Sequence, residues 1–221
     1  MLAKENLIQE IIDSGYLKSS NIIEAFLAID RKDFVVSEYQ NEIYSNIPLP
    51  IGFGQTISQP LTVAFILELL QPQAGEKILD IGAGSGWTSA LLAYIVSQKP
   101  APSETEGSKK GKVIAIERIP ELKEFGEKNV SKYNFIKKSV VEFICGDGSQ
   151  GYEKEALFDK ILCSATVKEI PQEWLKQLKM GGRIVTPLDG EVQLWIKKGE
   201  NQFDIKRFQG FTFVPLITGK K

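Results

Sequence analysis

Three glycines separated by single residues, Gly82, Gly84 and Gly86, follow the run Lys77-Ile78-Leu79-Asp80-Ile81 and precede a helix-forming stretch opened by Trp87. A strand feeding such a turn lets backbone approach a ligand closely, because glycine accepts positive φ and carries no Cβ. The spacing discriminates between ligands. A dinucleotide fingerprint needs glycine at position 87, where tryptophan stands, so this helix N-terminus is not built for a pyrophosphate. Two further acids close apolar runs downstream: Glu117 ends Lys-Val-Ile-Ala-Ile-Glu, and Asp147 lies between Gly146 and Gly148. Upstream, Gln55, Thr56 and Ser58 are crowded into a segment punctuated by Pro48, Pro50, Gly52, Gly54 and Pro60. Histidine is absent, which removes Ser-His-Asp and Cys-His chemistry, and two separated cysteines cannot supply the common zinc sites, so no metal is expected.

The elements that must position these residues follow from periodicity. Leu7, Ile8, Ile11 and Ile12 recur at helical spacing up to Gly15, predicting a first amphipathic helix. Asn21 with Glu24 three residues later predicts a capped second helix that carries Ile22, Ile23, Phe26, Leu27 and Ile29 and ends near Asp30. Residues 33–60 read as a long irregular loop, with a helix beginning near Pro60 for which capping by Thr56 and Ser58 is the alternative reading of those hydroxyls. From Lys77 onward, short apolar runs alternate with helix-length segments, which predicts an α/β fold with a doubly wound, mostly parallel sheet. Val192–Ile196 and Ile205–Leu216 come without intervening helices and predict antiparallel strands at the C-terminal edge. Cys145 and Cys163 fall within apparent buried strands, as small apolar core residues. Residues 98–112, rich in Pro, Ser, Gly and charge, read as a surface insertion. The whole chain, 1–221, reads as one domain, with 1–60 forming an N-terminal helical segment and loop.

The order Asp80, Gly82, Gly84, Gly86 resembles the first motif of Rossmann-type S-adenosylmethionine (SAM) methyltransferases. That resemblance implies cofactor contacts from Asp80, Gly82, Ala83, Gly84, Ser85, Gly86 and Trp87. Glu117, with Arg118 beside it, stands where a carboxylate accepts hydrogen bonds from both ribose hydroxyls, and Asp147 with Gly148 stands where one meets the adenine amino group. The segment Pro48-Leu49-Pro50-Ile51-Gly52-Phe53-Gly54-Gln55-Thr56-Ile57-Ser58-Gln59-Pro60 resembles the signature loop of the protein-L-isoaspartate O-methyltransferases. Further blocks resemble that family in the same order: Glu117-Arg118-Ile119-Pro120-Glu121-Leu122, Gly146-Asp147-Gly148 with Gly151-Tyr152, Phe158-Asp159-Lys160-Ile161, Gly181-Gly182-Arg183-Ile184-Val185 with Pro187, and Phe213-Val214-Pro215-Leu216.

The resemblance runs from about Ile22 to Leu216. It implies SAM as cofactor, S-adenosyl-L-homocysteine as product, and isoaspartyl residues of damaged proteins as substrate, methylated on the α-carboxylate so that repair begins through a succinimide. It further implies Ser58 as the active-site serine and Gln55, Thr56, Ile57, Ser58 and Val214 as substrate contacts, making 48–60 the substrate loop of the 1–60 segment. A carboxylate is ionised at neutral pH, so attack on a sulfonium methyl needs no general base. Three departures from the family pattern stand out: Phe53 where many bacterial relatives carry a polar residue, Ser164-Ala165-Thr166 in place of a Thr-Ala-Ala-like run, and Trp87 where tyrosine is common.

Charge and hydropathy exclude other classes. Lys plus Arg total 27 against 28 Asp plus Glu, a net charge of -1 that offers no field for a phosphate backbone, and no N/D-P-P-Y-like tetrad follows the fourth strand. A nucleic-acid methyltransferase is therefore not expected. The apolar stretch Leu61–Leu70 is ten residues long and contains Glu68, too short and too charged for a bilayer. The N-terminal Met-Leu-Ala-Lys-Glu-Asn-Leu mixes acids among apolar residues, unlike a signal peptide. A cytoplasmic monomer is expected. Two other readings stay open at this point: a related peptide-aspartate methyltransferase of peptide modification, and a SAM-binding protein without turnover.

Overall fold

Apolar runs that must be covered on both faces become the inner strands of a parallel sheet. In the computed structural model, which describes residues 3–99 and 110–219, a hairpin of β1 (Leu49–Gly52) and β2 (Gln55–Ile57) precedes a seven-stranded sheet. Its strands are β3 (Lys77–Ile81), β4 (Lys112–Glu117), β5 (Val141–Cys145), β6 (Phe158–Cys163), β7 (Leu178–Leu188), β8 (Glu191–Gly199) and β9 (Gln202–Gln209), in the order β5-β4-β3-β6-β7-β8-β9. Strands β3 to β7 run parallel, while β8 and β9 are antiparallel additions at one edge, as the pattern predicts. The insertion expected at 98–112 lies mostly outside the described residues.

Alternation along β3 divides the core. Ile78 joins a cluster with Val113, Ala115 and Leu162 under the helices α1 (Ala3–Asp13), α2 (Ser20–Ala28), α3 (Pro60–Leu70), α4 (Trp87–Val96) and α5 (Pro120–Ser131). Leu79 and Ile81 join a second cluster with Ile114, Ile116, Phe158 and the fully buried Trp174 of α6 (Gln172–Gln177). Helical cover is thus thick on one face and thin on the other.

Four local expectations are corrected. The N-cap of α2 is Ser19, not Asn21. Glu68 of α3 receives the amides of Lys18 and Ser19, each at 2.7 Å, and the Ser19 hydroxyl, while the Asn21 amide donates to the carbonyl of Pro72. Residues 33–60 are not an unbroken loop. They contain a 3-10 turn over Ser37–Glu42 and the β1–β2 hairpin, whose tip is Gly52-Phe53-Gly54 with all three φ positive. Cys163 is buried, but Cys145 is exposed because β5 ends at it. The run to Leu216 is likewise strand only to Gln209. Beyond Gly210 (φ +97) the chain crosses the sheet's edge as a strap, pinned where Thr166 donates to the Val214 carbonyl and Leu216 donates to that of Thr166.

Candidate active site

The direction of winding reverses at β3, which has β4 on one side and β6 on the other, and ligands of open α/β sheets bind at such switch points outside the carboxyl ends of the strands. A cavity opens there. Its floor is the glycine turn after β3. The amides of Gly82 and Ala83 both hook onto the Ile116 carbonyl of β4, at 2.9 and 3.1 Å. Gly86, at φ +86, must be glycine for a second reason: a Cβ there would stand 2.8 Å from the Gly126 carbonyl of α5. Gly84 lies under the hairpin, where a Cβ would meet Ile51 at 3.2 Å.

Glu117 ends β4 with its carboxylate 7% exposed, accepting the amide of Gly84 through Oε2 and that of Ile119 through Oε1, both at 2.9 Å. Each oxygen keeps a lone pair for a ligand donor. Asp80 lies fully buried beneath the turn. Burial pushes its carboxyl up to about 6, against the hydrogen bond from Ser89 Oγ at 2.6 Å and with the neighbouring Glu117 charge, and its Oδ1 has no partner. Trp87 opens α4 with its indole packed edge-on against Phe26 and Nε1 unpartnered.

Sequence reasoning missed Arg31. This guanidinium is 3% exposed, lies over the Trp87 ring at 5.4 Å, and donates to the carbonyls of Ile43, Ser45, Ile47 and Ser58. Burial lowers its pKa to about 10. One buried fork therefore ties the backbone of residues 43–58 to the wall of the cavity. No spacing in the sequence betrays it, since its four acceptors are main-chain groups.

Of the residues singled out from sequence, Gln55, Thr56, Ile57, Ser58 and Val214 line the cavity from the loop and strap, and Gly82, Ala83, Gly84, Ser85, Trp87, Glu117, Arg118 and Gly148 line it from the strand ends. Asp80 and Gly86 support the turn from below and do not line it. Asp147 does not line it either. Its carboxylate accepts the amides of Ser149 at 3.0 Å and Gly219 at 2.8 Å, with Arg118 at 3.8 Å and also bonded to the Gly219 carbonyl. Partial burial pulls its pKa upward, but these hydrogen bonds and the Arg118 charge outweigh it and hold the carboxyl below its usual range. Thr56 and Ser58 do not cap α3, whose N-cap is Gln59 and whose Leu61 amide is taken by Asn46. The lining also includes Ile51, Thr88, Ile119, Ser164 and Ile217, which no motif named as site residues.

A second cleft lies on the far side of the loop, between Pro48, Gln59 and Thr62 and the strap Gly210–Pro215. Thr56, Ser58, Ser164, Val214 and Pro215 belong to the walls of both.

The donor set fits a nucleoside that carries a cation and no phosphate. The cavity's acid, Glu117, suits vicinal hydroxyls. Among the described residues Arg118 is the one cation in the lining, where a pyrophosphate would ask for more. Fold and cavity together define a Rossmann-type, SAM-dependent methyltransferase. The sequence matches the family described as protein-L-isoaspartate(D-aspartate) O-methyltransferase over residues 2–221. It is 40% identical to the protein-L-isoaspartate O-methyltransferase of Methanopyrus kandleri, over 97% of this chain and 91% of that one, and 40% identical to that of Staphylothermus marinus, over 96% and 95%. A solved structure named protein-L-isoaspartate O-methyltransferase superposes with TM-score 0.83 at 27% identity, covering 98% of this chain and 66% of its own. A Plasmodium falciparum structure described as a candidate member, in complex with S-adenosyl-L-homocysteine, shows the same fold at TM-score 0.83 and 23% identity, covering 97% of this chain and 98% of its own. The chain belongs to the protein-L-isoaspartate(D-aspartate) O-methyltransferase family.

Proposed function

We propose that this protein transfers a methyl group from SAM to the α-carboxylate of isoaspartyl residues in proteins, starting their repair. The observation that carries this reading is the junction of the two cavities, where the hydroxyl-bearing residues Thr56 and Ser58 belong to both walls and no acid or base stands among the five shared residues. Bound SAM supplies a methyl carbon on a sulfonium that leaves as a neutral thioether. The chain supplies orientation. Glu117 holds the ribose hydroxyls, Gly82–Ser85 bring backbone against the ligand, and Trp87 with Ile51 closes the sides. Ser58 and Thr56 hold the accepting carboxylate by hydrogen bonds, with Gln55, Ile57 and Val214 bounding the peptide, and the accepting oxygen enters already ionised. Placing the reactants in line and excluding water can lower such a barrier by roughly 7 to 11 kcal/mol.

Both cavities are complete within one chain, so the reading asks for no second subunit, and the net charge of -1 supports protein over nucleic acid as partner. Among the described residues no helix is long and apolar enough to cross a membrane, and both cysteines are free thiols, which supports work in the cytoplasm. The test is methyl transfer from labelled SAM to an isoaspartyl peptide, with the ordinary aspartyl peptide as control. Label in the isoaspartyl peptide alone is the expected result, and equal labelling of both, or of neither, refutes the reading.

A further inference from the structure

Any methyl group passing from the cofactor cavity to the peptide cleft must cross the junction bounded by Thr56, Ser58, Ser164, Val214 and Pro215. Three of these five carry hydroxyls. Thr56 and Ser58 come from the loop, and Ser164 comes from the sheet, one residue past the end of β6. Its backbone is fixed, because the Ser164 amide donates to the Ile81 carbonyl at 2.9 Å and the next residue, Ala165, packs 3.8 Å from where a Cβ on Gly82 would stand. Its Oγ is closed off from solvent and has no hydrogen-bond partner. Buried hydroxyls are nearly always satisfied, so an orphan in the wall of a site calls for an acceptor that arrives with the ligand.

We infer that Ser164 is a third hydroxyl of the acceptor site, donating to the isoaspartyl carboxylate when the peptide is seated. The inference rests on the isoaspartyl reading above. Two carboxylate oxygens present about four acceptor positions. Three hydroxyls therefore leave one lone pair free on the oxygen that meets the methyl carbon. The neighbouring Cys163 cannot take this part, because its Sγ points to the Ala165 carbonyl at 3.1 Å and burial pushes its thiol up to about 12.

The experiment compares wild type, Ser164→Ala and Ser164→Thr by methylation kinetics on an isoaspartyl peptide, by calorimetric titration with S-adenosyl-L-homocysteine, and by thermal unfolding of the free protein. Ser164→Ala should lower kcat/KM about 10- to 100-fold, the loss expected of one hydrogen bond to a charged group. Homocysteine-product affinity should stay within about twofold, and the thermal midpoint should not fall, since the deleted hydroxyl has no partner in the free protein. Ser164→Thr, which keeps the hydroxyl, should recover most of the rate. Wild-type kcat/KM in Ser164→Ala overturns the inference. So does a parallel loss of product affinity, which would place the hydroxyl on the cofactor, and so does a failure of threonine to recover the rate at an unaltered midpoint. A wild-type enzyme inert toward the isoaspartyl peptide would overturn the functional reading itself, and this inference with it.

Discussion

Replacing Asp80 by asparagine should make the protein more stable at neutral pH and remove that residue's own contribution to the pH dependence of stability. Asp80 is fully buried, and its carboxyl is raised from an ordinary value near 3.8 to about 6, chiefly by loss of solvent. Between those values the folded state binds a proton that the unfolded chain has released, so stability falls as pH rises through the window and the whole cost is present above about pH 6. Two pH units at 1.36 kcal/mol each make that cost about 3 kcal/mol, of which about 2 kcal/mol develops between about pH 4.5 and 7.5. Asparagine keeps the shape and an acceptor for the Ser89 hydroxyl at 2.6 Å but cannot ionise. Urea denaturation of wild type and Asp80→Asn across this range isolates the group, because every other carboxyl titrates alike in both. The difference in unfolding free energy should grow by about 2 kcal/mol toward neutrality. Parallel curves would show that Asp80 titrates as an exposed acid does, and the account of a carboxylate trapped beneath the turn would fail.

Glu117→Gln removes one acceptor oxygen from a side chain that already serves the amides of Gly84 and Ile119, and it should weaken S-adenosyl-L-homocysteine binding about 10- to 100-fold by calorimetry. Unchanged affinity would take Glu117 out of the site. Ser58→Ala should slow single-turnover methylation by a similar factor, about 10- to 100-fold, while leaving product affinity intact, and no covalent enzyme intermediate should appear by mass spectrometry. Gly219→Pro deletes the amide that donates to Asp147 at 2.8 Å and should speed release of S-adenosyl-L-homocysteine in stopped-flow measurements, because the strap carrying Ile217 over the cavity loses its latch. An unaltered release rate would show that the latch plays no part in retaining the ligand.

How much was legible in the sequence depended on whether the deciding interaction was local. The glycine turn, the apolar strands and the antiparallel edge declare themselves, because turn chemistry and two-residue alternation are properties of neighbouring residues. Glu117 was legible as the acid closing a strand. The true cap of α2 was not, since Glu68 reaches it from another helix 49 residues away in sequence. Arg31 was hidden because its acceptors are carbonyls, which every residue possesses. Asp147 looked like a ligand carboxylate, and its place in the turn after β5 is as expected, but the Gly219 amide that occupies it comes from the far end of the chain. Thr56 and Ser58 could have been mere caps of α3, and only the geometry at Gln59 and Asn46 separates them from that duty.

A strongly displaced carboxyl near a cleft usually marks a catalytic acid or base. Applied to this protein, that rule points at Asp80, and the geometry argues otherwise. Asp80 lies behind the turn, outside the cavity wall, with Ser89 as its one side-chain partner. The junction where bonds would change is instead bounded by hydroxyls and by the strap, groups that do not titrate near neutrality. That division suits a reaction whose nucleophile arrives ionised and whose leaving group departs neutral. Proton transfer has no part in such a step, so selection acts on placement, and the charged groups serve the scaffold: Asp80 beneath the turn, Arg31 beneath the loop, and Asp147 with Arg118 at the strap. The absence of histidine from the whole chain then costs the enzyme nothing.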